Sequence, residues 1–176
     1  MIKILIISLF ILSGCSLQSP VNKAQYEASN AFSSYTKNFL SDNNLIAKNE
    51  LNRAIAHSKK NANLDSLARI YLGECALNIS VGIEDRCENY INIRDLINSK
   101  DLDIYYKFIT LQIQNNEIDK LPIVYKDFTK FMNNKNYTKA YNEILKMDSE
   151  VSKLLSASLI RKHLNKNLDL LCKSRG

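Results

Sequence analysis

Residues that form tight turns are scarce in this sequence. Its 176 residues include four glycines and two prolines, and beyond residue 22 only Gly73, Gly82, Pro122 and the C-terminal Gly176 are found. A β-sandwich or β-barrel needs many tight turns, and no segment shows the sustained apolar–polar alternation of half-buried strands. The composition therefore argues against an all-β fold.

Recognisable catalytic motifs are also missing. We find no nucleophile elbow, glycine-rich phosphate loop or zinc-protease helix. The acidic groups at 84–88 and 101–103 fall at expected helix starts, where carboxylates suit the helix dipole. Glu74 lacks the aromatic and glycine-rich context of a peptidoglycan-cleaving enzyme, and neither His57 nor His163 has zinc-ligand spacing to a cysteine. We expect no enzymatic activity, metal or cofactor.

The longest apolar run is short and lies at the N-terminus. Lys3 precedes the apolar segment 4–12, which ends in Leu12-Ser13-Gly14-Cys15. A transmembrane helix needs about 20 apolar residues, roughly twice this length. A positive charge, a short apolar segment and small residues before a cleavage site are typical of a secretory signal peptide.

The residues Leu12-Ser13-Gly14-Cys15 resemble the lipobox of bacterial lipoproteins. The resemblance implies that residues 1–14 are removed, that Cys15 carries diacylglycerol and an amino-terminal acyl chain such as palmitate, and that residues 15–22 form a tether. Ser16 stands where an aspartate would signal retention in the inner membrane. We therefore expect an anchor in the outer membrane of a Gram-negative bacterium, with the remainder facing the periplasm.

The positive charge of the mature chain is concentrated at its C-terminus. Without residues 1–14 the chain has 23 Lys and Arg against 18 Asp and Glu, a net charge of +5. Only Asp169 opposes the basic residues of the last sixteen positions, which are Arg161, Lys162, Lys166, Lys173 and Arg175. We expect this segment to contact anionic lipid headgroups or an acidic protein, or else to be a solvated helix end whose cations suit the helix dipole. Nucleic acid is not an expected partner.

Helical periodicity extends over residues 23–176 and predicts an all-α domain. We expect about eight helices of 11–18 residues with short linkers. Asn63 is placed to cap the start of the third helix and Gly82 to end it, and Asp101 is placed to cap the fifth. The last helix is expected to bend near Asn165. Short linkers make consecutive helices antiparallel neighbours.

Two segments resemble parts of tetratricopeptide repeats. Residues 135–148 match the pattern of the second repeat helix, Tyr-x-x-Ala followed by an aliphatic pair and Asp, and residues 68–73 resemble the first helix. The resemblance implies antiparallel helical hairpins stacked in a tetratricopeptide-like α-solenoid. The 34-residue spacing and the loop proline are missing, so a closed helical bundle is the alternative.

Three cysteines remain after Cys15. Cys75, near the end of the third helix, and Cys87, near the start of the fourth, lie at one level of an antiparallel hairpin, so we expect a disulfide between them. Two free buried thiols are the alternative. Cys172 is left as a free thiol or a source of intermolecular disulfides.

These features predict a lipid-anchored periplasmic module that binds a protein partner during assembly of an envelope structure. Tyr26, Tyr106 and Tyr125 are candidates for the lining of a concave groove. Two alternatives stay open: a pilotin-like lipoprotein that escorts a secretin to the outer membrane, and a structural linker to peptidoglycan.

Overall fold

Helices form the whole of the secondary structure in the part of the chain that the structure describes. The computed structural model describes residues 23–60 and 62–173, with side chains up to residue 165. Within these residues lie eight α-helices and one 3₁₀ helix, in the order α1 (Lys23–Leu40), α2 (Asn44–Lys60), α3 (Leu64–Ser80), α4 (Glu88–Arg94), α5 (Lys100–Ile109), the 3₁₀ helix (Asn115–Lys120), α6 (Ile123–Asn133), α7 (Tyr137–Leu145) and α8 (Glu150–Lys173).

The N-terminal predictions fall outside this description. The predicted signal peptide 1–14, the predicted lipidation site Cys15 and the predicted tether 15–22 all lie outside the described residues. None of the described helices is both long and apolar enough to cross a bilayer.

The predicted helix ends are partly right. The Asn63 side chain accepts a hydrogen bond from the Ser66 backbone N–H at 2.9 Å, as a cap does. Gly82 follows α3 with a φ of +87°, the left-handed conformation that glycine adopts most easily. The cap assigned to Asp101 is wrong: Ser99 is the N-cap residue of α5, and Asp101 lies in its first turn.

The predicted lengths are less accurate. The structure has α4 at 7 residues, α5 at 10, α7 at 9 and α8 at 24. The expected bend near Asn165 does not interrupt α8, which continues to Lys173. The 3₁₀ helix was not predicted. At its start the Glu117 carboxylate accepts a hydrogen bond of 3.0 Å from the Gln114 backbone N–H, as in a capping box.

Several pairs of consecutive helices pack as hairpins, and α3 is the centre of the domain. The α1–α2 and α6–α7 pairs pack extensively, while α3 contacts α2, α4, α5 and α8. Its side chains Leu72, Cys75 and Ile79 enter a core shared with Tyr90, Phe108 and other residues of α4–α8. The contact between α3 and α8 joins helices far apart in the chain, a feature of the closed-bundle alternative.

The α1–α2 hairpin packs on α3 through small side chains. One cluster comprises Ala28, Ala31, Ala54 and Ile70, and Tyr35 forms another with Ala47 and Leu77. Phe32 of α1 lies directly over Gly73 of α3, in the space that a Cβ atom would occupy. The glycine therefore permits the close approach of these two helices.

Candidate interaction surfaces

The loop between α3 and α4 is fixed by a disulfide and by one carboxylate. Cys75 and Cys87 form the disulfide, with Cα atoms 5.3 Å apart, and both residues are almost completely buried. The carboxylate of Asp85 accepts one hydrogen bond from Asn78 Nδ2 and another from the backbone N–H of Cys87, each at 2.7 Å. Cys87 precedes α4 with a φ of +57°. These bonds hold a loop whose backbone otherwise has little regular structure.

The side of this loop packs against α8. The Ser158 hydroxyl donates a hydrogen bond of 2.8 Å to the carbonyl oxygen of Ser80, the last residue of α3. The guanidinium group of Arg161 lies against Gly82, in the space that a larger residue would fill. A cation near the C-terminal end of a helix is favoured by the helix dipole. Arg161 is exposed, but its guanidinium group packs on the α3–α4 loop.

A groove opens between α3, this loop, α4 and α8. We call it the acidic groove; the side chains lining it include Tyr71, Lys162 and the carboxylates of Glu74, Glu84, Asp85 and Glu88. Partial burial raises the pKa of Glu74, the nearby Asp85 adds to this effect, and a hydrogen bond from Asn89 opposes it. Arg86 and Lys162 also line the groove, so four carboxylates face two cations and the charge presented is mainly negative.

The sulfur atoms of Cys75 and Cys87 and a carboxylate oxygen of Asp85 lie within 4.8 Å of one another. Thiolate and carboxylate groups are metal ligands when they are free. Here the sulfurs are bonded to each other, and both carboxylate oxygens of Asp85 accept hydrogen bonds. The donor set therefore fits a role in holding the loop better than a role in metal binding.

The tyrosine groove proposed from the sequence is wrong for two of its three residues. Tyr106 and Tyr125 belong to the core, with 9% and 7% of their surface exposed. Tyr125 donates a hydrogen bond of 3.0 Å to the hydroxyl of Ser152, and burial raises its pKa. Only Tyr26, at 58% exposure, is available to a partner. Periodicity locates a tyrosine on a helix face but does not show how deeply a later helix covers it.

The structure describes the predicted basic segment in part. Arg161 and Lys162 face the α3–α4 loop and the acidic groove, so they lie beside negative charge within the domain. The side chains of Lys166, Lys173 and Cys172 lie outside the described residues, as does Arg175.

A second basic surface, which was not predicted from the sequence, lies on the α6–α7 hairpin. Residues 120–146, which we call the basic hairpin, contain two acidic residues and six lysines: Lys120, Lys126, Lys130, Lys135, Lys139 and Lys146. Five of these lysines are exposed, and Lys126 is half-buried. The lysines are spaced along two helices instead of forming a run, so a search for charge runs does not detect them. Summing the charge over each predicted hairpin would have found the surface.

Comparisons of the chain with protein-family models, with curated proteins and with solved structures found no match.

Proposed function

We propose that this chain is a lipoprotein anchored through Cys15 to the outer membrane, with a periplasmic helical domain that binds a protein partner during assembly of an envelope structure. The lipobox-like Leu12-Ser13-Gly14-Cys15 supports the anchor. The disulfide between Cys75 and Cys87 supports an oxidising compartment such as the periplasm, because disulfides are rare in the cytosol. The role proposed for the domain is binding and not catalysis.

The acidic groove is the proposed partner site. Its carboxylates converge from α3, the α3–α4 loop and the start of α4, and the disulfide and Asp85 fix the loop between them. Less conformational freedom is lost on binding when the site is already ordered, so more of the interaction energy appears as affinity. A partner segment with Lys or Arg side chains complements this charge.

The anchor is tested by Cys15→Ser in cells supplied with labelled palmitate. We expect label in the wild-type protein and in a Cys172→Ser control, and none in Cys15→Ser, which should also leave the membrane fraction or remain unprocessed. Label in Cys15→Ser together with membrane fractionation would contradict the anchor.

The partner site is tested by placing a photo-crosslinking amino acid at Asn89 in the acidic groove. Asn49, an exposed asparagine on α2, is the matched control. We expect a discrete crosslinked protein from position 89 that is lost when Glu84→Lys and Glu88→Lys are combined. Equal crosslinking from both positions, or crosslinking unaffected by the charge reversal, would exclude the groove as the site.

A pilotin-like role is the second candidate. The observation that favours it is a small helical domain with a single disulfide in its described part, since some pilotins have this form. Deletion of the gene would then leave a secretin of the same cell in the inner membrane, and Cys15→Ser would mislocalise it in the same way. Normal secretin localisation in the deletion strain would exclude this candidate.

A further inference from the structure

We infer that the basic hairpin docks on a bilayer surface containing anionic phospholipid and so orients the domain relative to the membrane. The inference rests on the proposed lipid anchor. The sequence predicted that the basic C-terminal segment contacts anionic lipid, and we now assign that contact to residues 120–146. Three observations support it: the charge of this surface, the apolar side chains exposed on it, and the shortness of the tether.

The lysines of the basic hairpin are largely uncompensated. Within the described residues, Lys146 forms an ion pair with Glu143 at 2.7 Å, whereas Lys120, Lys126, Lys130 and Lys135 have no carboxylate within ion-pair distance. The hairpin carries a net charge of +4. Residues 65–119, by contrast, contain ten acidic and five basic residues. Charge is thus separated along the chain, and the basic side suits an anionic surface.

The same hairpin exposes large apolar side chains. Ile123, at the start of α6, is 85% exposed, and Leu145 and Tyr141 on α7 are 63% and 56% exposed. Ile123, Lys126 and Lys130 are spaced along one side of α6, and Tyr141 and Leu145 lie four residues apart on one face of α7. Lysines together with exposed aliphatic and tyrosine side chains are typical of surfaces that lie in the lipid headgroup region.

The tether limits how far the domain can move from the bilayer. Eight residues, 15–22, separate the start of α1 from the end of the signal peptide. A fully extended chain of that length spans at most about 26–29 Å, whereas a domain of this size has a radius of gyration of about 15 Å. The anchored domain therefore remains next to the membrane, where weak contacts act at high effective concentration.

The basic residues of α8 are less suited to this role within the described part of the chain. Arg161 lies against Gly82 at the end of α3, and Lys162 lines the acidic groove. Both cations are close to the negative side of the domain, which an anionic bilayer repels. By contrast, Lys126, Lys130 and Lys139 on α6 and α7 form no ion pair within the described residues.

The test uses the full lipidated chain in phosphatidylcholine vesicles with or without phosphatidylglycerol, followed by amine acylation and peptide mass spectrometry. We expect several-fold less labelling of Lys120, Lys126 and Lys130 in the anionic vesicles, and we expect the difference to disappear at high ionic strength, where charges are screened. Lys48, Lys59 and Lys60, exposed on α2, are internal controls and should label equally in both.

A charge-reversal pair separates the hairpin from general electrostatics. Lys126→Glu with Lys130→Glu should remove the protection of Lys120, each lost lysine weakening the contact about fivefold. The control, Lys48→Glu with Lys59→Glu, makes the same change in net charge and should leave the protection intact. Vesicle flotation in neutral lipid reports the anchor alone, so a chain that fails to float overturns the anchor and with it this inference. Two outcomes would overturn the hairpin inference alone. In the first, the chain floats but its lysines label equally in both lipids. In the second, the lysines are protected in whole cell envelopes but not in anionic vesicles, which would indicate an acidic protein as the partner.

Discussion

The disulfide between α3 and the start of α4 should be a major contributor to stability. The two cysteines are 12 residues apart in sequence, and a cross-link that closes a loop of this size contributes about 3 kcal/mol by restricting the unfolded chain. In a domain of about 150 residues, each kcal/mol corresponds to roughly 2–4 °C in melting temperature. Cys75→Ala or Cys87→Ala should therefore lower the melting temperature by about 6–12 °C.

The measurement is thermal unfolding followed by circular dichroism, with and without a reductant. The double variant should lose little more than the worse single variant, because the cross-link is lost only once. Cys172→Ala is the control and should unfold like the wild type. A melting temperature that is unchanged in both single variants, or alkylation of both thiols in the native oxidised protein, would show that the two cysteines are not bonded and would refute this reasoning.

Two further predictions concern single side chains. Asn63→Ala removes the cap of α3 and should lower the free energy of unfolding by about 1 kcal/mol. Asn63→Asp keeps a side-chain acceptor and should lose much less stability. Equal losses for the two variants in urea denaturation would contradict the capping role. Burial raises the pKa of Glu74 in the folded state above the ordinary value of 4.5. The folded protein therefore binds a proton at Glu74 more readily than the unfolded chain does. Its free energy of unfolding should fall as pH rises from about 4.5 through the folded-state pKa. Glu74→Gln should remove this part of the slope, and an identical pH dependence of urea unfolding in the variant would show that Glu74 does not cause it.

Much of the helical order follows from local sequence. The predictions of α1, α2 and α3 depend only on the helical spacing of their apolar residues, and the Asn63 cap depends on a single backbone hydrogen bond. The 3₁₀ helix was missed because its capping box uses Gln114, a rare cap residue. Apolar residues of a helix are not all buried: Ile91, on the seven-residue α4, is 42% exposed. Local patterns therefore locate helices better than they predict burial.

The surfaces were harder to predict because they depend on which distant helices meet. Cys75 and Cys87 were paired correctly from their places at facing helix ends, a relation that stays within one hairpin. The acidic groove requires α8 to lie beside the α3–α4 loop, and no local pattern encodes that contact. Tyr106 and Tyr125 were assigned to a surface for the same reason: Ser152 of α8 bonds to Tyr125, and Tyr90 of α4 packs on Tyr106.

The packing of α8 on α3 also sets the order in which this chain can fold. The hydrogen bond from Ser158 to Ser80 joins residues 78 positions apart, while the α1–α2 hairpin needs only local contacts. Contacts between distant segments form slowly, because a long stretch of chain must be closed first. Until α8 has been synthesised, the apolar side of α3 that packs with Leu155 and Leu159 remains open. A chain that lacks this last helix therefore presents an incomplete core, to which chaperones and proteases have access.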